Sequence, residues 1–186
     1  MSQKIFCIGF HKTGTKSMAK ALRILGYTVT GPNGTQDIHI ASNVYNMATS
    51  LIPKYDAFQD NPWPIIYKEI DRLYPESKFI LTLRDSRSWI KSQINYFGNE
   101  TSPMRKWIYG ENHGCPKGNE KIYIQRFEAH NRDVKAYFQN RQNDLLVMNI
   151  FEETNHWEKL AAFLEKEIPD LPFPHENKTK IFPGKT

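Results

Sequence analysis

The sequence predicts an α/β protein, a three-layer sandwich in which helices cover both faces of a central, mostly parallel sheet. Short apolar runs that suit buried strands alternate along the chain with segments of helical periodicity. The clearest strands are residues 5–8 and 78–83, and the longest helical segment is 120–141. Ligands of such sheets bind at the carboxyl ends of the strands. The residues that follow each strand are therefore the first candidates for a site.

The other elements follow from the same two periodicities and from turn residues between them. A helix is predicted to begin near Thr15 and to reach Gly26, and the last helix to begin after a cap at Thr154 or Asn155. The remaining predictions are strands at 27–30, 55–60 and 144–149 and helices at 39–51, 65–74 and 88–97. In the 65–74 helix, one face carries Ile66, Ile70 and Leu73, which are expected to be buried.

Length and composition favour one domain over residues 1–186. The chain has 186 residues, of which 39% are hydrophobic, which is enough for one substantial core. Residues 98–118 contain four glycines and two prolines and break both periodicities. We expect this segment to be an irregular, mobile excursion over the site rather than a second domain.

Charge and targeting signals narrow the function classes. The net charge of +5 favours an anionic partner, but no long Lys/Arg run indicates a nucleic-acid surface. The chain has no run of eighteen apolar residues and no signal-peptide pattern, so we expect no membrane span and a cytoplasmic location. Cys7 and Cys115 form neither a disulfide framework nor a zinc signature, and no metal is expected.

The strongest functional signal is the stretch that follows the first strand. Residues 9–15, called the glycine loop here, lead from that strand into a helix. The first N–H groups of a helix lack intrahelical partners and favour an anion, and Lys12 and Lys16 add full positive charges. Hydroxyl donors come from Thr13, Thr15 and Ser17. The sequence therefore predicts a site for a phosphate or sulfate ester.

The spacing distinguishes this loop from a Walker A motif. Gly9 and Gly14 have Walker spacing, but Thr15 stands where the lysine belongs, Lys16 comes one residue late and Lys12 comes early. The stretch resembles the 5′-phosphosulfate loop of sulfotransferases that use 3′-phosphoadenosine 5′-phosphosulfate (PAPS). In that family a proline usually occupies the position of His11.

A second motif follows the strand at 78–83. Arg84 ends this strand, and Ser92 lies eight residues later on the next helix, so both could bind one anion. The spacing resembles the 3′-phosphate motif of the same sulfotransferases, although Ser86 replaces a usual proline. The alternative is that Arg84 forms a salt bridge and Ser92 faces solvent.

The resemblance implies a P-loop NTPase-like sulfotransferase fold and assigns roles to the loop. The enzyme would transfer a sulfuryl group from PAPS to a hydroxyl or amine acceptor, with no metal. Lys12 would neutralise the leaving oxygen. The residues that would hold the 5′-phosphate are Thr13, Gly14, Thr15, Lys16 and Ser17, and Lys12 would take part in binding as well. Arg84 and Ser92 would bind the 3′-phosphate.

The general base remains open between two residues. In the sulfotransferases that this chain resembles, a His or Glu follows the third strand shortly before a proline. Asp60 occupies that place before Pro62. Alternatively, Asp60 or Asn61 caps the next helix. His11 is the second candidate base, because an unperturbed histidine titrates near neutrality. Glu69 lies within a helix and is expected to be structural.

The sequence does not define the acceptor, for which a small molecule, glycan, lipid and peptide all stay open. It does not define the oligomeric state either. Aromatic residues that could line the acceptor pocket or belong to the core are Trp63, Tyr67, Phe97, Trp107 and Tyr109. Lys117 and Gly118, or residues 177–180, are candidates to cover the nucleotide. Two other functions remain open: a nucleotide kinase or NTPase with a distorted Walker loop, and a non-catalytic nucleotide-binding module.

Overall fold

A computed structural model describes residues 3–176, which form an α/β fold around a five-stranded parallel sheet. The strands are β1 (Ile5–Cys7), β2 (Val29–Thr30), β3 (Ala57–Gln59), β4 (Lys78–Thr82) and β5 (Leu145–Met148). Their order is β2-β3-β1-β4-β5, and every neighbouring pair is parallel. The predicted fold class is confirmed.

Seven helices connect and cover these strands within residues 3–176. They are α1 (Thr15–Ile24), α2 (Ile40–Leu51), α3 (Trp63–Leu73), α4 (Ser86–Phe97), α5 (Pro103–Tyr109), α6 (Glu120–Tyr137) and α7 (His156–Leu164). Short 3-10 turns lie at Ile52–Lys54, Glu111–His113 and Gln142–Asp144. No helix in this part of the chain is both long and apolar enough to cross a membrane.

Alternation along the strands divides the core into two layers. Phe6 of β1 packs with Phe58 and Phe79 of its neighbours on one face, together with residues of α2 to α6. Ile5 and Cys7 point to the other face, where α1 and α7 cover them. Because both faces of the sheet are buried, the strands read as continuous apolar runs.

Two details of the predicted elements are wrong. Leu73 is 56% exposed, whereas Ile66 and Ile70 are buried, because the buried stripe of α3 ends before its last residue. The segment 98–118 is not irregular throughout, since it contains α5, capped by Ser102, whose hydroxyl accepts from the Arg105 N–H. Its buried side chains are Met104, Arg105, Ile108 and Tyr109.

The strand order determines where a ligand can bind. From β1 the chain passes to the edge strand β2 and returns to β3, which lies next to β1. It then crosses to the other side of β1, where β4 and β5 follow. The crevice outside the carboxyl ends of β1 and β4 is therefore the topological switch point. The glycine loop follows β1 there, and Arg84 follows β4.

Candidate active site

The glycine loop turns sharply into α1. Lys12 and Gly14 have φ of 68° and 96°, in the left-handed region, and α1 has no side-chain cap and no acidic residue in its first turn. At Gly14 a Cβ atom would also lie 2.9 Å from Ile150 Cδ1, so the position requires glycine. The helix thus begins without a capping side chain on its first N–H groups, which suits an anionic ligand.

Thr13 holds this loop against the sheet. Its hydroxyl lies 2.6 Å from Phe10 O and 2.6 Å from Thr82 Oγ1, and its N–H donates to Phe10 O at 3.2 Å. The side chain is completely buried. The Thr13 hydroxyl, predicted as a phosphate donor, therefore has partners inside the protein and lies beneath the loop.

His11 anchors the same loop from the other side. Its carbonyl accepts from Trp89 Nε1 at 2.9 Å and from Gln93 Nε2 at 3.0 Å. Asn61 Nδ2 lies 3.0 Å from Nδ1 of the ring, and Tyr109 Oη lies 3.3 Å from Nε2. Burial lowers the pKa of His11 to about 4. The ring is therefore neutral near pH 7 with both nitrogens engaged, which disfavours it as the general base.

Two cations flank the loop without carboxylate partners. Lys12 Nζ lies 3.8 Å from the ring centroid of Tyr96, and burial, with the nearby charges of Lys16 and Arg84, lowers the pKa of this ammonium. Arg84 donates from Nη1 to Lys12 O at 3.0 Å, and its Cζ lies 4.3 Å from the ring centroid of Phe151. Neither cation forms an ion pair within residues 3–176, so the salt-bridge alternative for Arg84 is not found there.

One cavity of about 770 Å³ joins these groups. The predicted site residues that line it are His11, Lys12, Gly14, Thr15, Lys16, Ser17, Asp60, Arg84 and Ser92. Further cationic side chains on its wall are Lys20, Arg23 and Arg105, against the carboxylates of Asp60 and Glu176. The cavity is therefore positively charged and contains both predicted anion-binding motifs.

Asp60 faces this cavity beside the start of α1. Its Oδ2 accepts from the Thr15 hydroxyl at 2.8 Å, and its Oδ1 accepts from the Asn61 N–H at 2.7 Å. Its φ of 63° is left-handed, a conformation that Asp and Asn adopt more readily than most residues. The capping alternative is wrong, because α3 begins at Trp63 after Pro62 and has no side-chain cap.

Most of the aromatic candidates belong to the core. Phe97 lines the cavity, whereas Trp63, Tyr67 and Tyr109 are buried in the main core and Trp107 packs against it. Glu69 is half-buried on α3. The sequence offered all five as pocket or core residues and did not separate Phe97 from the others, because that distinction depends on how the helices pack.

The C-terminal segment reaches the site from the opposite direction. The N–H of Glu176 donates to Ser17 Oγ at 2.9 Å, and its carboxylate accepts from Lys20 at 2.8 Å. Residues 177–180, one candidate cover for the nucleotide, lie outside the described residues. The other candidates, Lys117 and Gly118, are exposed and are not on the cavity wall formed by residues 3–176.

Two features bear on metal-dependent nucleotide chemistry. Asp85, the first carboxylate after β4, accepts from the Ser88 N–H and caps α4. Residues 3–176 contain no group of three or more His, Cys, Asp or Glu side chains arranged to hold a metal ion. The Asp60 carboxylate lies next to the glycine loop, where it accepts a hydrogen bond from Thr15.

Comparison with known proteins shows the family of this chain. A family model described as a sulfotransferase domain matches residues 4–115 and 94–182, and the chain belongs to that family. It is also similar to Ava biosynthesis cluster protein M of Aspergillus versicolor, with 24% identity over 218 residues. That alignment covers 92% of this chain and 80% of the relative.

Proposed function

We propose that this protein transfers a sulfuryl group from PAPS to a hydroxyl or amine of a small acceptor. The observation that carries the proposal is that the glycine loop and the Arg84/Ser92 pair line one cavity. Two separate anion sites in one cavity suit a nucleotide with phosphate at both its 3′ and 5′ positions. Membership of the sulfotransferase domain family supports the type of reaction.

The residues present fit such a donor. The uncapped start of α1, with Lys12 and Lys16, provides N–H groups and charge for the 5′ end. Arg84 and Ser92 provide a guanidinium and a hydroxyl for the 3′-phosphate, and Arg84 has no competing carboxylate within residues 3–176. When bound, PAPS supplies the sulfuryl group and the phosphate leaving group.

Lys12 and Asp60 divide the chemical work. Asp60 takes the proton of the acceptor O–H or N–H while the electron pair of that atom forms the new bond to sulfur. The pair of the breaking S–O bond stays on the phosphate oxygen, where Lys12 neutralises the developing charge. Thr15 keeps the carboxylate of Asp60 next to the loop through its 2.8 Å hydrogen bond. Asp60, the proposed base, and Lys12, the proposed cation, both line the same cavity.

A P-loop kinase or NTPase needs a lysine directly after the second loop glycine and a carboxylate that binds Mg²⁺. Asp85 is used instead to cap α4, and Thr15 replaces the Walker lysine. A non-catalytic nucleotide-binding module would not need a carboxylate beside the loop, yet Asp60 lies there. Sulfuryl transfer is therefore the function that accounts for most of the cavity residues.

Calorimetry and a transfer assay test the proposal together. Adenosine 3′,5′-bisphosphate should bind at least about 10-fold more tightly than ATP–Mg²⁺, because only the bisphosphate uses Arg84 and Ser92. The protein should also move ³⁵S-labelled sulfate from PAPS to at least one member of a broad hydroxyl and amine panel. Preference for ATP–Mg²⁺ would contradict the donor, and bisphosphate binding without any transfer would favour the non-catalytic module.

A further inference from the structure

Arg105 is a further positively charged residue on the cavity wall, outside both predicted phosphate motifs. The residue is nearly buried, with 8% of its surface exposed. Its Nε donates to Gly114 O at 2.9 Å and its Nη2 to Glu100 O at 2.7 Å. Its Cζ lies 4.1 Å from the ring centroid of Phe97. These partners are two backbone carbonyls and an aromatic ring, so they hold the guanidinium in place without forming an ion pair with it.

The charge of Arg105 is not explained by the fold. Within residues 3–176 it forms no ion pair. Burial lowers the pKa of its guanidinium, and the nearby Tyr123, Tyr109 and Glu100 offset that effect only in part. Removing a cation from water without an anionic partner is unfavourable, and two carbonyls and an aromatic face offset only part of that cost. The hydrogen bonds to Glu100 O and Gly114 O hold residues 100–114 together, but a neutral donor could form them as well as a charged guanidinium. The unpaired charge therefore points to an anionic ligand.

The position of Arg105 relates this ligand to the reacting groups. Arg105 and Tyr109 lie four residues apart and share one face of α5. The Tyr109 hydroxyl lies 3.3 Å from His11 Nε2, and the next residue along the loop is Lys12. Asn61, which follows Asp60, binds the other nitrogen of the same ring. Arg105 thus lies on the helix that contacts His11, and His11 is next to Lys12 in the loop and contacts the residue that follows Asp60.

The cavity wall around Arg105 is suited to a small organic molecule. Phe97 and Met104 line the cavity next to it, and Pro32 also contributes to the wall. These apolar side chains can contact the body of a ligand between a charged end at Arg105 and a reactive end at Asp60. The cavity of about 770 Å³ is large enough for a nucleotide and one further small molecule, not for a folded partner.

We propose that Arg105 binds an oxyanion of the acceptor, so that the substrates are small carboxylic acids, or similar acids, that also carry a hydroxyl or amine. This inference rests on the proposed sulfuryl transfer, because it names the acceptor of that reaction. The same oxyanion chemistry could come from the sulfuryl group of PAPS, which also lies at the reacting end of the donor. The test must therefore distinguish an acid in the acceptor from the donor's own sulfuryl group.

The test measures paired ligands on protein saturated with adenosine 3′,5′-bisphosphate. Hydroxy acids and amino acids of several sizes are titrated against their primary amides, which keep the shape but remove the charge. In the wild-type protein at least one acid should bind about 10- to 100-fold more tightly than its amide, the range of a charge-assisted contact. Arg105→Gln should remove this ratio. Arg105→Lys, which keeps the charge but not the fork, should retain part of it.

A matched control removes a charge from the same helix. Lys106 pairs with Glu111 on the protein surface and is not on the described cavity wall, so Lys106→Gln should leave the acid-to-amide ratio unchanged. A ratio within one protein is insensitive to a general loss of structure, since a distorted segment would weaken the acid and the amide together. Arg105→Gln should also leave the affinity for the bisphosphate within about 3-fold, because the bisphosphate lacks the sulfuryl group.

Three results would overturn the inference. Acids and amides could bind equally to the wild-type protein, or neither could bind. The preference for an acid could survive Arg105→Gln. Finally, Arg105→Gln could weaken PAPS but not the bisphosphate while leaving the acid-to-amide ratio intact, which would assign Arg105 to the donor. Failure of the bisphosphate itself to bind would contradict the proposed function instead, so the two failures are distinguishable.

Discussion

The two ends of the cavity are built in different ways. The proposed donor end comes from two continuous stretches, residues 12–17 and 84–92, each of which joins a strand to the helix that follows it. The proposed acceptor end is assembled from Pro32, Asp60, Phe97 and Arg105, which come from separate loops and helices. Local backbone geometry therefore determines the donor end, whereas tertiary packing determines the acceptor end.

His11 connects these two ends. Its carbonyl receives hydrogen bonds from Trp89 and Gln93 of α4, the helix that carries Ser92. Its ring contacts Asn61, which follows Asp60, and Tyr109, which lies on the same helix as Arg105. Through these four partners, His11 ties the glycine loop to α4, to α5 and to the residues that follow β3. Catalysis by orientation depends on the relative position of donor and acceptor, because misplacement by about 1 Å can cost about 100-fold in rate.

The largest effect is expected at Asp60, where the two ends meet. Asp60→Asn keeps the left-handed backbone and an acceptor for the Thr15 hydroxyl, but it removes the proton-accepting carboxylate. We expect kcat to fall by about 10²- to 10⁴-fold, with a change in unfolding free energy within about 1 kcal/mol. Steady-state kinetics and denaturant unfolding measure both quantities.

Asp85→Asn is the control for that change. Asn remains a good N-cap, so α4 should keep its start and sulfuryl transfer should change little. The reverse pattern, with activity lost at Asp85 and retained at Asp60, would instead support Mg²⁺-dependent chemistry at the end of β4.

Lys12→Ala tests the donor end in the transition state. The charge on the leaving oxygen develops mainly during transfer, so kcat should fall by about 10²- to 10³-fold while the affinity for the bisphosphate changes much less. Lys16→Ala should instead weaken nucleotide binding more than it lowers kcat. Lys16 is exposed on the first turn of α1, where its charge would bind the 5′-phosphate and not the leaving oxygen. A wild-type kcat for Lys12→Ala at saturating PAPS would remove Lys12 from its role.

The burial of His11 should make the free energy of unfolding depend on pH. The pKa of His11 is about 4 in the folded protein against 6.5 for a free side chain, so the unfolded state binds its proton first as pH falls. Stability from this residue is complete above pH 6.5 and is lost toward pH 4, by about 3 kcal/mol. Burial also lowers the pKa of His130 to about 4, which adds a second contribution of the same sign.

Unfolding free energies between pH 4 and 7 measure this prediction. His11→Gln should reduce the slope of the wild-type curve by about half, since His130 remains. It should not remove a kinetic ionisation near neutrality, because His11 is already neutral there. An unchanged slope, or the loss of such a kinetic ionisation, would show that His11 is protonated in the native state.

The smallest effect is expected at Ser92. Its half-buried side chain offers a single neutral hydroxyl to the 3′-phosphate, so Ser92→Ala should weaken adenosine 3′,5′-bisphosphate by about 2- to 10-fold. The affinity for adenosine 5′-monophosphate should stay the same. Equal weakening of both nucleotides, measured by calorimetry, would indicate a disturbed α4 instead of a lost contact.

Features set by local structure could be predicted from the sequence, whereas features set by tertiary packing could not. The parallel sheet and the order of strands and helices follow from periodicity, and the glycine loop follows from spacing. Helix α5 was missed although Ser102 followed by Pro103 is a recognisable helix start, because glycines before and after it favoured an irregular segment. Arg105 left no sequence signal, since its burial against Phe97 and its place on the cavity wall arise only from packing.

Nucleotide affinity with and without the 3′-phosphate, in the wild-type protein and Arg84→Ala, tests the central claim most directly. The wild-type protein should bind adenosine 3′,5′-bisphosphate more tightly than adenosine 5′-monophosphate. Arg84→Ala should weaken the bisphosphate by about 10- to 150-fold and the monophosphate by less than about 3-fold, because a charge-assisted contact contributes about 1.5–3 kcal/mol. Equal losses for the two nucleotides, or no preference for the bisphosphate in the wild-type protein, would contradict a cavity built for a 3′-phosphorylated sulfuryl donor.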